Sequence, residues 1–243
     1  MSGEDYNYER IINELQNYQH MKGFYKNVLL IISLFFVSNF GFGQSNEISV
    51  RFIGNCGLYM TDGELDIYID FPYKSGAHNY MEYDKSEIDS IKDNPVFIFT
   101  HKHSDHYSGK LLRKLNGKKY GPWNVKKLDE LNDSATHFSI QAFKTKHRFC
   151  FNHYSYLITW HGKKIFISGD TENSETIGKL SNIDWAFVPY WVILDSYDKN
   201  INIDSKKFGV YHLYPDQKID NGNPEKYKLL NDQGEVISIP YED

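Results

Sequence analysis

The chain is 243 residues long, 40% hydrophobic and 24% charged, which places it among ordinary globular proteins and excludes a disordered one. With 27 basic against 32 acidic residues the net charge is −5, so there is no basic surplus to neutralise a phosphate backbone, and a nucleic-acid partner is not expected. Two cysteines rule out a disulfide scaffold and a four-cysteine zinc site, and leave the placement of the ten histidines to decide the case.

In chain order, Lys22 and Lys26 precede an apolar run from Val28 to Val37, and Gly41-Phe42-Gly43 follow it. A basic flank, a short apolar stretch and small residues two apart describe a secretory signal peptide over 21–43, too short for an ordinary membrane span. A signal anchor and a buried core helix are the alternatives. The acidic extension 1–20 is foreign to an export signal and suggests Met21 as the start. The expected product is a domain over 44–243 that is exported, periplasmic or extracellular, and in contact with a membrane only if 21–43 stay attached.

Glu47–Ile53, Leu58–Thr61 and Leu65–Phe71 read as strands, with Asn55 and Gly57 marking one junction and Asp62-Gly63 a tight turn at the next. Tyr83–Asp93 has helical spacing. Val96–Thr100 is apolar on both faces, as a central strand would be. Lys110–Leu115 reads as a helix, and Phe138–Phe143, His153–Trp160 and Lys164–Ser168 as strands. Thr171–Leu180 reads as a helix, Asp184–Pro189 and Phe208–Leu213 as strands, and Pro224–Leu230 as a helix with proline at its start. Strands first, with helices interspersed later, suit a layered α/β or α+β fold.

Directly after the apolar strand stands Thr100-His101-Lys102-His103-Ser104-Asp105-His106. Three imidazoles and a carboxylate at the end of a rigid strand converge usefully only as ligands or catalysts. This motif resembles the metallo-β-lactamase-fold hydrolases. Further landmarks follow in order over 47–213: Asp70 closing an apolar strand, His147 in Lys144-Thr145-Lys146-His147, Gly169-Asp170-Thr171 after an apolar strand, and His212 ending another.

The resemblance implies an αββα sandwich of two mixed sheets with helices outside. It also implies two divalent ions, Zn²⁺ by preference, with Mn²⁺ or Fe²⁺ compatible with the same donors. His101, His103 and His147 would hold the first ion; Asp105, His106 and His212 the second; and Asp170 would bridge them. Two such ions roughly 3.5–4 Å apart activate a hydroxide near neutral pH. Asp105 would orient it and pass a proton to the leaving group. Asp70 is expected behind the ligands, orienting one of them. The compact length favours the lactonase and phosphodiesterase-like branch, hence an exported hydrolase of an ester, lactone or phosphodiester bond in a small molecule. A protein that holds metal on the same fold without turnover is the alternative.

Other residues compete for these roles. His153 is expected to pack or face solvent, His137 and His161 to be solvated, and His78 to lie in a plain loop, with the lining of a substrate cleft as the alternative. His20 falls in the segment set aside, and Asp184 reads as a loop cap. Cys56 and Cys150 are candidates for a disulfide, and Cys150, three residues after His147, for a ligand. Trp185, Phe187, Tyr190 and Trp191 are expected mainly in the core, with Trp191 exposed beyond a strand end and altering the pocket.

Overall fold

A computed structural model describes residues 46–220 and 222–242 of the chain, which form one compact unit. The expected signal over 21–43 and the extension before it lie outside the described residues. Among the described residues no helix is long and apolar enough to cross a membrane.

The first sheet takes β1 (Glu47–Gly54), β2 (Gly57–Thr61), β3 (Asp66–Ile69), β4 (Val96–Ile98) and β5 (Lys118–Tyr120). The second takes β6 (Phe138–His147), β7 (Cys150–Trp160), β8 (Lys163–Ile167), β9 (Ile183–Pro189), β10 (Ser205–Tyr211) and β11 (Tyr227–Leu229). The last strand, β12 (Val236–Pro240), returns to the first sheet, giving the orders β12-β1-β2-β3-β4-β5 and β11-β10-β9-β8-β7-β6. Both sheets are mixed. β12, β1, β2 and β3 run antiparallel before the parallel β3-β4-β5, and β6-β7-β8 run antiparallel before the parallel β8-β9-β10-β11.

Alternation along β1 explains how the sheets face each other. Ile48, Val50 and Phe52 point inward and meet Ile158, Trp160, Ile165 and Ile167 of the second sheet in the central core. Full burial of each such side chain contributes about 1.5–3 kcal/mol. The outer faces are covered as well. Tyr68, Phe97 and Phe99 pack with Leu112 of the short helix α2 (Gly109–Leu112) and with Ile88 of α1 (Ser86–Asp89). On the other side, Phe166, Val188 and Val210 pack beneath Val192 of α4 (Tyr190–Asp198). A further helix, α3 (Leu128–Ser134), packs Leu128 and Leu131 into the central core. The result is the expected αββα sandwich.

Several local expectations are corrected. Pro224–Leu230 is a turn followed by the edge strand β11, because seven residues cannot repay helix nucleation while β10 offers a parallel partner along Phe208–Val210. Thr171–Leu180 contains only a single tight turn of helix, Ile177–Lys179. Conversely, α4 opens immediately after Pro189, where an aromatic-rich run concealed helical spacing. The region 83–93 is helical only over α1.

Asp62, expected simply as a turn residue, ties the two sheets together. Its Oδ1 accepts the backbone N–H groups of Glu64 and Leu65 at 2.9 Å each, closing the β2–β3 turn. Its Oδ2 accepts Trp160 Nε1 at 2.9 Å and His161 Nε2 at 2.8 Å from the β7–β8 end of the other sheet. His161 is therefore held rather than solvated, and its ring stacks on Tyr241 at 3.8 Å. Burial alone would raise the Asp62 pKa, but the donors from Leu65, His161, Glu64 and Trp160 outweigh it and lower it below the ordinary 3.8. Its stabilising contribution is present above that ordinary value and is lost as pH falls through the lowered folded one. Asp62→Ala is expected to cost about 2–3 kcal/mol in urea unfolding at neutral pH. An unchanged unfolding midpoint would contradict the tie.

Candidate metal centre

The site lies at one end of the sandwich, beyond the carboxyl ends of β3, β4, β8 and β10, with the β1–β2 turn and the β6–β7 hairpin closing over it. Ligand sites in open α/β sheets favour strand carboxyl ends because loops diverge there and leave a crevice. Asn55 (47°), Asp70 (46°) and His212 (61°), none of them glycine, carry positive φ where their strands stop at this end. Each costs of order 1–2 kcal/mol and turns the chain sharply where a strand stops.

His101, His103 and His147 form one cluster of candidate ligand atoms, all within 4.8 Å of one another. His106, Asp170 and His212 form a second cluster by the same measure, and its fourth member is Cys56. Asp105 stands at the margin of that second group, with Oδ2 3.3 Å from His212 Nε2 and 3.6 Å from His106 Nε2. All seven residues expected as ligands are thus gathered at one end of the fold, but Asp170 groups with His106 and His212 rather than with both sets, and Asp105 stands beside the second group rather than within it.

The proton positions follow from hydrogen-bond logic. Asp70 accepts the Thr100 backbone N–H at 2.7 Å and the Thr100 hydroxyl at 2.6 Å. It also accepts His106 Nδ1 at 2.8 Å, so when the His106 ring is neutral its proton sits on Nδ1 and the lone pair of Nε2 faces the centre. Thr100 has spent its one proton on Asp70, so its Oγ1 accepts from His101 Nδ1 at 3.0 Å. That leaves His101 Nε2 with a lone pair as well. Asp70 therefore orients two imidazoles, one directly and one through Thr100.

The inward nitrogens are unspent. His101 Nε2, His106 Nε2 and both ring nitrogens of His212 are buried without a hydrogen-bond partner. His106 Nε2 and His212 Nε2 come within 3.1 and 3.0 Å of Asp170 Oδ2, but not in hydrogen-bonding alignment. Buried polar atoms are seldom left unpartnered, and imidazole and carboxylate donors pointing at common centres are the chemistry of Zn²⁺ and similar ions. The residues present fit two such ions.

Electrostatics within the protein alone point the same way. Burial lowers the pKa of His101, and neighbouring His106 lowers it further, so this ring is neutral. Burial also disfavours a charged His106 and a charged His212, yet the Asp170 carboxylate outweighs it and raises both. Asp170 is held well below the carboxylate range, with His106 and His212 overcoming its own burial. A cluster that must borrow protons to balance Asp170 is one in which cations readily replace them.

His153, expected to pack or face solvent, is fully buried and supports the Asp170 loop. The Asp170 backbone N–H donates to its Nε2 at 2.9 Å. Its Nδ1 then donates to Thr145 Oγ1 (2.7 Å), Thr145 to Ser155 Oγ (3.1 Å), and Ser155 to the Ser168 carbonyl (2.6 Å). The direction is forced at both ends, and burial pulls the His153 pKa down to about 3, so the ring stays neutral. Gly169 makes the loop possible: its φ is +58°, and a Cβ there would lie 2.6 Å from His153 Nε2 and 2.8 Å from Thr100 Cβ.

Asn55 and Cys56 were not singled out as site residues from the sequence. Asn55 Nδ2 donates to the Asp105 carbonyl at 3.0 Å, and its own carbonyl accepts the His212 N–H at 3.1 Å. Cys56 and Cys150 are both free, so the candidate disulfide is not formed, and Cys150 Sγ instead contacts the Asn152 carbonyl at 3.5 Å. A cleft of about 750 Å³ opens over the centre, lined by His103, Asp105, His147, Asp170 and His212 with His78, Tyr80, Trp191 and Tyr214 around them. Trp191 is anchored by Nε1 to the Thr171 carbonyl at 2.9 Å, and its ring stands against His212.

No protein-family model and no curated protein sequence matches the chain. Solved structures do. Igni18, a metallo hydrolase from the archaeon Ignicoccus hospitalis, superposes with a TM-score of 0.61 at 17% identity, covering 81% of this chain and 100% of its own. A proposed metal-dependent hydrolase of Parabacteroides distasonis gives 0.57 at 20%, covering 76% and 94%. The metallo-β-lactamase fold protein YhfI of Bacillus subtilis gives 0.54 at 16%, covering 79% and 99%. The chain has the metallo-β-lactamase fold. At these identities the likeness carries the fold and no further, so the function has to be argued from the site.

Asp70→Asn places an amide N–H opposite His106 Nδ1–H or leaves the Thr100 donors short of an acceptor. It is expected to weaken metal binding about 10–100-fold in competition with a chromophoric chelator. Gly169→Ala is expected to lower stability by about 2 kcal/mol or more and to displace Asp170. Unaltered metal affinity in Asp70→Asn would refute the orienting role.

Proposed function

We propose that the chain is a metal-dependent hydrolase that uses two divalent ions, Zn²⁺ by preference, to cleave an ester, lactone or phosphodiester bond in a small molecule. The observation that carries it is the set of unspent imidazole nitrogens and carboxylates on the floor of an open cleft. His101, His103 and His147 would hold one ion; His106, His212 and Asp105 the other; and Asp170 would serve both. Divalent ions so held lower the pKa of water towards neutrality and polarise the bond to be cleaved.

The protein's own residues supply the rest. Asp105 has one oxygen towards His106 and His212 while the other, Oδ1, lies 4.0 Å from His78. The nearness of His212 and His106 outweighs its burial and keeps it ionised, as a proton acceptor must be. Tyr80 and Tyr214 stack at 4.5 Å, Tyr80 packs edge-on against His212, and Trp191 stands beside it, giving an aromatic wall that would seat the apolar part of a substrate and limit water. Arg148, at the cleft mouth, supplies a cation for an anionic substituent. Export through residues 21–43 belongs to the same reading and puts the substrate outside the cytoplasm.

The test is turnover of aryl ester, lactone and aryl phosphodiester substrates by the metal-loaded chain. Hydrolysis of at least one class is expected, abolished by a chelator and restored by zinc. Asp105→Asn is expected to reduce kcat at least about 100-fold. Full metal occupancy with no turnover across all three classes would favour the alternative, a metal-holding module without catalysis.

A further inference from the structure

Cys56 is 1% exposed, yet it does not sit as a buried thiol ordinarily does, among apolar side chains alone. Its sulfur belongs to the group of candidate ligand atoms formed with His106, Asp170 and His212. Its Sγ makes a weak approach to Asp170 Oδ1 at 3.8 Å, while Asp170 Oδ2 faces the two imidazoles. The sulfur and the unspent His106 and His212 nitrogens are therefore turned towards a common space.

The turn that carries Cys56 is fixed to this space. Asn55, its neighbour, adopts a left-handed conformation (φ 47°), accepts the backbone N–H of His212 and donates to the Asp105 carbonyl. These bonds lock the β1–β2 turn to the two segments that bear the other donors. A thiol needed simply to fill volume would not require registration against both.

We propose that Cys56 is a thiolate ligand of the second ion, completing a set of Cys56, His106, Asp170 and His212 with Asp105 at its edge. The proposal rests on the metal-centre reading above and deepens it by fixing the class of metal. One soft sulfur, two imidazoles and a carboxylate suit Zn²⁺, Fe²⁺ or Co²⁺ and disfavour the hard ions Mg²⁺ and Ca²⁺. Two dications facing Asp105 and Asp170 alone leave two uncompensated positive charges in a buried space, and a thiolate removes one of them. Binding breaks the S–H bond, forms a sulfur–metal bond and releases the proton to the buffer, so neither oxidant nor reductant is needed.

The experiment is titration of the metal-free full chain with Co²⁺, read by absorption. A near-ultraviolet sulfur-to-cobalt charge-transfer band is expected in the wild type and in Cys150→Ser. The same band is expected to vanish in Cys56→Ser while the visible cobalt bands remain. Cys56→Ser is also expected to weaken the binding of one equivalent at least about tenfold. A zinc-loaded wild-type sample needs no variant: X-ray absorption is expected to show a sulfur scatterer at about 2.3 Å. Two bound cobalt ions without the band, or a band that survives Cys56→Ser, would overturn the thiolate while leaving the two-ion reading intact. Failure of the wild type to bind any cobalt would overturn both.

Discussion

A neutral imidazole has two nitrogens and one proton, and everything at this site depends on where that proton is held. If it faces the centre, the ring is a donor and repels a cation; if it faces away, the ring is a ligand. Asp70 decides this for His106 directly and for His101 through the Thr100 hydroxyl, because a carboxylate accepts only and a hydroxyl has one proton to give. A buried carboxylate with three short hydrogen bonds leaves little freedom for an alternative arrangement. Asp170 is positioned by equally directional means, since its backbone N–H can only donate and so fixes the tautomer of His153.

The fold supplies what that proton order needs. Parallel strands β3 and β4 end side by side, so Asp70 and Thr100 meet across adjacent chains, as the Asp70 N–H to Ile98 carbonyl bond at 2.9 Å shows. Strands β8 and β10, separated by β9 alone, bring Asp170 and His212 in from the other sheet. The two sheets are held in fixed relation by the shared core, by Tyr156 donating to the Phe99 carbonyl at 2.8 Å, and by the Asp62 tie at the opposite ends of β2 and β7. Left-handed residues at the strand ends are the local cost of bringing side chains from four strands and two turns to one place.

Much of this was legible in the sequence, for identifiable reasons. The histidine-rich tetrad, Asp70, Gly169-Asp170 and His212 each follow an apolar strand at once, so strand ends and chemistry are read from the same residues. His147 was matched mostly by order and spacing, and the long hairpin β6–β7 is what carries it to His103, at 3.0 Å between ring nitrogens. Asn55 and Cys56 escaped because Asn-Cys-Gly reads as turn punctuation; a thiol between two turn residues was the available signal. His153 escaped because strand alternation says which face a ring takes but not what it finds there. The edge strand β11 and helix α4 were misread because short segments at a sheet margin take their structure from the neighbours they pack against.

The central claim is that these donors constitute a two-ion centre. The most direct test is native mass spectrometry of the full chain after zinc loading and removal of excess metal, for the wild type and Asp170→Ala. The account predicts about two zinc ions per wild-type chain and a loss of occupancy in the variant. A wild-type chain that remains folded and metal-free under zinc-replete conditions would contradict it.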